Sequence, residues 1–336
     1  MLRRGGLEIP PAPARCGVSS PGVRRKRIRT SVRGVDLFDE LPDDLLLIIL
    51  SKLTSTAGAP SDLINSLLTC RRFNELGTHP DVLAKASAKA VAVTASGWSE
   101  SAERFLMRAA DAGSTEACFT LGMIRFYCLE NRGSGASLMA KAATGYHAEA
   151  LYSLAVIQFN GSGGSKNEKD LRAGVALCAR AANFGHVDAL RELGHCLQDG
   201  YGVRRSITDG RRFLVQANAR ELCASLQRLK QGRSRGELGA CSLLSDFGCS
   251  VPAPEWNPAN RFMAEWFEAR GGCGEGLRMC SNWGCGRPET RRHEFRRCSV
   301  CGSVNYCSRA CQALHWKLAH KVECATMDRW LDGGDG

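Results

Sequence analysis

The sequence lacks a long apolar run. Its longest purely apolar stretch, Leu45 to Leu50, is six residues, whereas a helix that crosses a membrane needs about 20. The first residues also lack the apolar core of a secretory signal peptide. The 17 cysteines are an odd number, and many lie among apolar neighbours, where free cysteine packs as a small core residue. We therefore expect a soluble protein in a reducing, intracellular compartment.

Motifs of the common catalytic classes are also absent. The chain has no glycine-rich loop that could cradle a phosphate, no glycine-flanked nucleophilic serine and no acid pair in a recognisable frame. We therefore predict that the protein is not an enzyme and acts by binding other molecules.

The positive charge is concentrated near the amino terminus. Residues 1 to 35 contain nine Arg or Lys and the single Glu8, a net +8, which leaves +3 of the total +11. With four prolines as well, this stretch cannot bury enough apolar surface to fold, and we expect a disordered basic tail. Arg24 to Arg27 is either a nuclear-import signal or a solvated basic stretch. The protein is expected in the nucleus, the cytoplasm or both, and the remaining charge gives only weak support for nucleic-acid binding.

The main chemical feature is a group of eight potential metal ligands near the carboxyl end. Structural zinc takes four sulfur or nitrogen ligands in a tetrahedron, and a short turn can bring a close pair of ligands to one metal. The seven thiols and one imidazole form four close pairs: Cys280 and Cys285, Cys298 and Cys301, Cys307 and Cys311, and His320 and Cys324. Eight ligands suffice for two closed zinc sites, which leave no open position for catalysis.

The order of these ligands restricts how they can be shared. Residues Ser308 to Val322 contain neither Pro nor Gly and carry apolar residues at four-residue spacing, which predicts a helix. On that helix Cys311 and His320 would differ by about half a rotation and roughly 13 Å of rise. The last two pairs must therefore serve different metals. Spacing alone leaves open which early pair completes each site.

This stretch resembles a MYND zinc finger. The resemblance is carried by the two early cysteine pairs and then by Tyr306-Cys307, Cys311-Gln312, Trp316, His320 and Cys324. MYND ligands are cross-braced, which implies that the first and third pairs hold one zinc and that the second and fourth pairs hold the other. A RING finger is the nearest rival, but its histidine lies near the middle of the ligand order and here it comes seventh. His315 is expected at the surface, since the ligand count is already full.

Residues 36 to 80 contain an unusually apolar first helix. Pro42 suits the first helical position. One apolar stripe at helical spacing is formed by Leu46, Ile49, Leu50 and Leu53. Other apolar residues, such as Ile48, lie on the opposite side. A short helix that is apolar on more than one side needs burial all round or a partner.

The same segment resembles an F-box. The resemblance is carried by Leu41-Pro42, Ile49-Leu50 and Cys70-Arg71-Arg72-Phe73. F-boxes dock on the Skp-type adaptor of a cullin-based ubiquitin ligase. The resemblance therefore implies adaptor contacts from Leu41, Pro42, Leu45, Ile49, Leu67 and Leu68. The alternative is an ordinary helical hairpin packed on the rest of the chain.

Residues 98 to about 221 contain three copies of one pattern. Each copy has an alanine pair before a turn, at Ala109, Ala142 or Ala181, and a leucine twelve residues after the first alanine. The offsets of 33 and 39 residues are typical of paired-helix solenoids. The pattern resembles Sel-type repeats, relatives of tetratricopeptide repeats, whose stacked helices offer a concave protein-binding face. A rigid spacer between two functional ends is the alternative.

The predicted fold class is mainly α: F-box helices, an α-solenoid of paired-helix repeats and a small two-zinc finger over residues 280 to 324. Residues 231 to 272 are expected to be a linker. It should contain a short amphipathic helix, Arg261 to Phe267, packed on the zinc finger or on the last repeat.

F-box, helical repeats and MYND finger in this order resemble a small group of plant F-box proteins. The resemblance implies a substrate-recognition subunit of a Skp-cullin-F-box ubiquitin ligase, which binds its target through the repeats, the finger or both. Some MYND fingers bind short proline-containing peptides, and by resemblance Tyr306, Gln312 and Trp316 would line that groove. Two other classes stay open. One is a MYND-type transcriptional cofactor or scaffold; the other is a SET-domain methyltransferase, which would need long strand-rich sequence around the finger.

Overall fold

The computed structural model describes residues 38–230 and 255–325. The basic tail predicted for residues 1 to 35 and most of the linker predicted from residue 231 therefore lie outside the described residues. The chain divides into two units, Met1–Leu41 and Pro42–Gly336. The elements that follow all belong to the second unit.

The described residues form fourteen α-helices and a two-stranded sheet. The helices are α1 (Asp43–Thr56), α2 (Pro60–Leu67), α3 (Arg71–Gly77), α4 (Pro80–Leu83), α5 (Glu100–Asp111), α6 (Thr115–Met123), α7 (Arg132–Thr144), α8 (Ala148–Asn160), α9 (Leu171–Asn183), α10 (Val187–Asp199), α11 (Ile207–Lys230), α12 (Pro258–Glu268), α13 (Arg309–His315) and α14 (Lys321–Glu323). The strands are β1 (Arg296–Arg297) and β2 (Asn305–Tyr306), which pair antiparallel. The mainly α fold class is confirmed. None of the described helices is long and apolar enough to cross a membrane.

Helices α1 to α4 form the first bundle of this unit. Asp43 and Asp44 lie in the first turn of α1, where carboxylates favour the positive end of the helix dipole. Leu46 and Leu50 are buried. Ile49, which the sequence placed on the same stripe, is 44% exposed, because the core reaches only a narrow face of the helix. The apolar residues of α1 are thus divided between a core and an open surface.

Helices α5 to α10 form three helical hairpins, each joined by a short turn. The turns are capped: Ser114, His147 and His186 all accept a backbone N–H at the start of a helix. In the later hairpins a histidine has this role, and its second nitrogen faces a carboxylate of the preceding hairpin. The distances are 3.1 Å from His147 to Glu116 and 3.2 Å from His186 to Glu149. These contacts join consecutive hairpins.

Glycines allow consecutive hairpins to pack closely. A Cβ atom on Gly135 of α7 would lie 2.7 Å from the carbonyl oxygen of Gly122 in α6, and one on Gly122 would lie 3.0 Å from the carbonyl of Gly135. The same reciprocal contact recurs between Gly194 of α10 and Gly210 of α11. Real Cβ atoms essentially never approach to 2.7 Å, and 3.0 Å is tighter than most of their contacts, so glycine at these positions lets the backbones approach closely.

Helix α12 packs against the beginning of the repeats. Phe262 is buried and makes an edge-to-face contact with Trp98, with ring centroids 5.4 Å apart. Glu265 accepts the backbone N–H of Ala95 at 3.1 Å. The sequence correctly predicted this short helix, packed on the zinc finger or on the last repeat. The contact with the finger is present: Asn260 Nδ2 donates to the Gly284 carbonyl at 3.4 Å, and a Cβ atom on Gly286 would clash with the Asn260 carbonyl oxygen. The aromatic face of α12 also completes the first hairpin.

Candidate functional site

The first candidate metal centre is formed by Cys280, Cys285, Cys307 and Cys311. Their four sulfur atoms all lie within 4.8 Å of one another, and all four side chains are buried. With zinc–sulfur bonds of about 2.3 Å, the sulfurs of a tetrahedral site are about 3.8 Å apart. The sulfurs of Cys285 and Cys307 are 3.5 Å apart and those of Cys307 and Cys311 are 3.6 Å apart. These distances fit a shared metal and exclude a disulfide, which would be about 2 Å.

The second candidate centre is formed by Cys298, Cys301, His320 and Cys324, whose ligand atoms also lie within 4.8 Å of one another. The Sγ atoms of Cys298 and Cys324 are 3.9 Å apart, and Cys301 Sγ is 3.4 Å from His320 Nε2. The structure thus brings together the cross-braced sets that the resemblance implied. The donor types and distances fit two zinc ions per chain. When bound, these ions would hold the finger folded, since such sites contribute roughly 10 to 16 kcal/mol in small fingers.

The helix that carries the later ligands is not regular along its whole length. A single helix was predicted from Ser308 to Val322, but α13 ends at His315 and one π-helical turn, Trp316–His320, follows it. A π turn places residues five apart on the same side. The rings of His315 and His320 consequently stack, with centroids 5.6 Å apart, while His320 keeps its position beside Cys301.

His315 is a core residue and not the surface residue that the sequence suggested. It is buried, and its Nδ1 atom is 2.9 Å from the hydroxyl of Tyr306. Tyr306, predicted to line a peptide groove, is 0% exposed, so its side chain belongs to the core of the finger and does not reach an open surface. Of the other two predicted groove residues, Gln312 is half-buried and Trp316 is 38% exposed.

Arg287 is a buried cation beside the first centre. Its Nη1 atom donates to Cys285 Sγ at 3.4 Å, and its Nη2 atom donates to Ser153 Oγ of α8 at 2.8 Å. Burial disfavours the charge, but the thiolates of Cys285 and Cys307 hold the pKa of Arg287 well above its usual value. Four thiolates and one Zn²⁺ sum to −2, and this guanidinium offsets one of those charges. No sequence pattern marked Arg287, because its partner Ser153 is 134 residues away in the chain.

The finger and the repeats are joined by many polar contacts. The hydrogen bonds include Asn160 Nδ2 to the Cys307 carbonyl at 2.8 Å, Tyr152 Oη with Ser308 Oγ at 3.0 Å, Gly163 N–H to Thr290 Oγ1 at 2.7 Å, Arg291 Nη1 to the Gly161 carbonyl at 2.6 Å and Ala310 N–H to Glu192 Oε2 at 3.0 Å. Arg309 also pairs with Asp199 at the end of α10. Several of these atoms are buried, so the finger is part of the same folded body as the repeats.

The segment predicted to bind an adaptor has an open apolar surface. Leu45 of α1 is 46% exposed, Ile49 is 44% exposed and Leu68, after α2, is 77% exposed. Pro42 is exposed, whereas Leu41 and Leu67 are half-buried. Two further exposed residues, Ile48 and Ile64, were not predicted as contacts. Ile48 lies three residues after Leu45, and their helical spacing was the available signal.

Comparison with known families identifies three segments. Residues 38–85 match the F-box-like family, residues 89–173 match plant tetratrico peptide repeats, and residues 280–324 match the MYND finger. A solved structure, a Sel1 repeat protein from Oxalobacter formigenes, aligns over 53% of this chain and 70% of its own length, at 19% identity. Its TM-score of 0.37 is too low to bear on the fold.

Two relatives from Arabidopsis thaliana align along most of the chain. F-box protein At1g67340 is 63% identical over 94% of this chain and 90% of its own length. F-box protein At5g50450 is 61% identical over 88% of this chain and 87% of its own length. This chain therefore belongs to the plant F-box protein family of these two relatives, and in it the F-box is followed by helical repeats and a MYND finger.

Proposed function

We propose that this protein is a substrate-recognition subunit of a Skp-cullin-F-box ubiquitin ligase. The observation that carries the proposal is the open apolar face of α1, formed by Leu45, Ile48 and Ile49 within the segment that matches the F-box family. The opposite side of the helix is already buried through Leu46 and Leu50. An exposed apolar patch beside a filled core is characteristic of a protein-binding surface. The proposed partner is an Skp-type adaptor and, through it, a cullin.

The rest of the chain supports a role as a non-catalytic receptor. Both candidate zinc centres have four protein ligands, and such closed sites are structural. The buried contacts between the repeats and the finger hold two binding-competent modules in a fixed arrangement. In the proposed complex the target contacts these modules, with Trp316 of the finger available for aromatic contact with a peptide. Ubiquitin transfer occurs on partner enzymes.

The adaptor interaction can be tested by co-purification. Burying a large aliphatic side chain contributes about 1.5 to 3 kcal/mol, so Leu45→Ala with Ile49→Ala should weaken adaptor binding roughly 100-fold or more. Both side chains are nearly half exposed and lie outside the buried core, so the circular dichroism spectrum should not change. A matched control is Ile207→Ala with Val215→Ala, which truncates exposed apolar residues of α11. Failure of the wild-type protein to recover an Skp-type adaptor, or equal losses in both variants, contradicts the proposal.

A further inference from the structure

A cleft lies where the repeats meet the finger. It encloses about 240 Å³, slightly less than the usual 300 to 1,000 Å³ of a site for a whole cofactor or small molecule. The repeats contribute Phe159, Lys169 and Tyr201, and the finger contributes Phe295 and Arg296. The cleft therefore exists only because the two modules are packed together. Its size suits one or two side chains of a longer ligand.

The carboxylates that line the cleft are already satisfied. Glu294 accepts hydrogen bonds from Ser162, from Arg291 N–H and from both the backbone and the hydroxyl of Thr290. Glu192 accepts the backbone N–H of Ala310. Both are buried. Both are therefore occupied by hydrogen bonds within the folded chain, and neither forms an ion pair with Lys169 or Arg296 among the described residues.

Three cations line the cleft, and they differ in whether an acidic side chain pairs with them. Arg309 pairs with Asp199, and its guanidinium lies 5.0 Å from the ring centroid of Tyr201. The side chains of Lys169 and Arg296, in contrast, have no hydrogen-bond or ion-pair partner among residues 38–230 and 255–325. Loss of hydration lowers the pKa of Lys169, nearby cations including Arg291 and Arg296 lower it further, and Glu294 offsets only part of this effect. An anion between Lys169 and Arg296 would relieve this repulsion.

The negative charge of the zinc centre beside the cleft does not neutralise the unpaired cations Lys169 and Arg296. Cys307 reaches the cleft wall, and its centre has a net charge of −2 when zinc is bound. That charge faces the buried Arg287 and lies beneath the surface.

At the rim of the cleft, His293 has a left-handed backbone with φ of 59°. A non-glycine residue seldom adopts this conformation, which is enriched at functional sites.

We propose that this cleft binds the carboxylate side chains of an acidic peptide segment presented by the target protein. Lys169 from the repeats and Arg296 from the finger hold the carboxylates, while the aromatic walls contact the adjacent apolar atoms. The inference rests on the proposed function, because it names the chemistry of the target. A carboxylate is favoured over a phosphate because only two cations are unpaired, and phosphate sites usually gather several arginines.

The test is fluorescence anisotropy with a labelled octaglutamate peptide, with octaglutamine as the neutral control. Because Arg24 to Arg27 would attract the same probe, every full-length, zinc-loaded protein compared carries alanine at these four positions. We expect octaglutamate to bind at least tenfold more tightly than octaglutamine. Lys169→Glu with Arg296→Glu should weaken octaglutamate binding at least tenfold and should create binding to octalysine, which shows that the reversed cleft is intact.

The control variant is Lys85→Glu with Arg211→Glu, which changes the net charge equally at sites outside the cleft. Equal weakening in the control variant, or no weakening in the cleft variant, overturns the proposal. Tighter binding of an octapeptide with two phosphoserines, by tenfold or more, would assign the site to phosphate instead. The peptide is measured without adaptor, and the cleft variant should still recover the adaptor, so failure here is distinct from failure of the ligase proposal.

Discussion

Glu192 is a carboxylate buried between α10 and the finger. Burial raises its pKa, and the hydrogen bond from Ala310 together with the charge of Arg309 only partly offsets this effect. The folded state therefore binds the Glu192 proton more tightly than the unfolded state does. Above the pKa that Glu192 has in the unfolded chain, the free energy of unfolding falls as pH rises, because deprotonating Glu192 in the core is costly.

Glu192→Gln should therefore be more stable than the wild-type protein at neutral pH. The amide oxygen can still accept the N–H of Ala310, and no charge is buried. Urea unfolding at several pH values should show this advantage shrinking as pH falls towards the unfolded pKa. Glu192→Ala is the control, since it leaves that N–H unpaired and should lose about 1 to 3 kcal/mol. A glutamine variant that is less stable at every pH would contradict this account.

Individual ligands were predictable from sequence, whereas their supporting residues were not. The eight zinc ligands occur as close pairs, so a local pattern reveals them. Arg287 and His315 owe their roles to residues far away in the chain or to burial. Arg287 contacts Ser153 across 134 residues, and His315 bonds to Tyr306 inside the finger. No spacing rule predicts either contact.

The close packing of α6 on α7 depends on a glycine with no room for a side chain. A Cβ atom on Gly135 would lie 2.6 Å from the backbone nitrogen of Phe126 and 2.7 Å from the carbonyl of Gly122. Neither backbone atom can move without shifting a helix. In contrast, a Cβ atom on Gly133, two residues earlier in α7, would meet no described residue within 4 Å beyond its own stretch of helix.

Gly135→Ala should lower the free energy of unfolding by about 1 to 3 kcal/mol through overpacking. The matched variant Gly133→Ala should be neutral or raise it by up to about 1 kcal/mol, because alanine restricts the unfolded chain and favours the helix. Chemical denaturation of both variants provides the comparison. Equal free energies of unfolding for the two variants would show that the glycine contact does not control the packing of these hairpins.

The helices were largely predictable, and their irregular turns were not. Alanine pairs and leucines at helical spacing predicted paired helices between residues 98 and 221, and paired helices occupy this region. The closest backbone approach between consecutive hairpins involves Gly122 and Gly135, which the alanine pattern did not mark. The π turn Trp316–His320 was also missed. This turn keeps His320 beside Cys301, a tertiary constraint that no local pattern shows.

At the scale of the whole molecule, the repeats and the finger form one body. The sequence suggested a solenoid that ends in a separate small finger, because the ligand motif covers only residues 280 to 324. The structure instead places buried hydrogen bonds between them, including those of Asn160 with Cys307 and of Tyr152 with Ser308. These partners are more than 140 residues apart. Each belongs to a motif that is recognised without the other, so neither motif predicts the contact.

Zinc in the finger should stabilise the repeats as well as the finger, because buried hydrogen bonds join the two. Hydrogen exchange of the full-length protein, with and without a zinc chelator, tests it most directly. We expect chelation to release about two zinc ions per chain and to raise exchange in α8 and α10, which contact the finger. Exchange in α1, which makes no hydrogen bond to the finger in the described part of the chain, should change little. Faster exchange confined to residues 280 to 324, with α8 and α10 fully protected, would contradict the account.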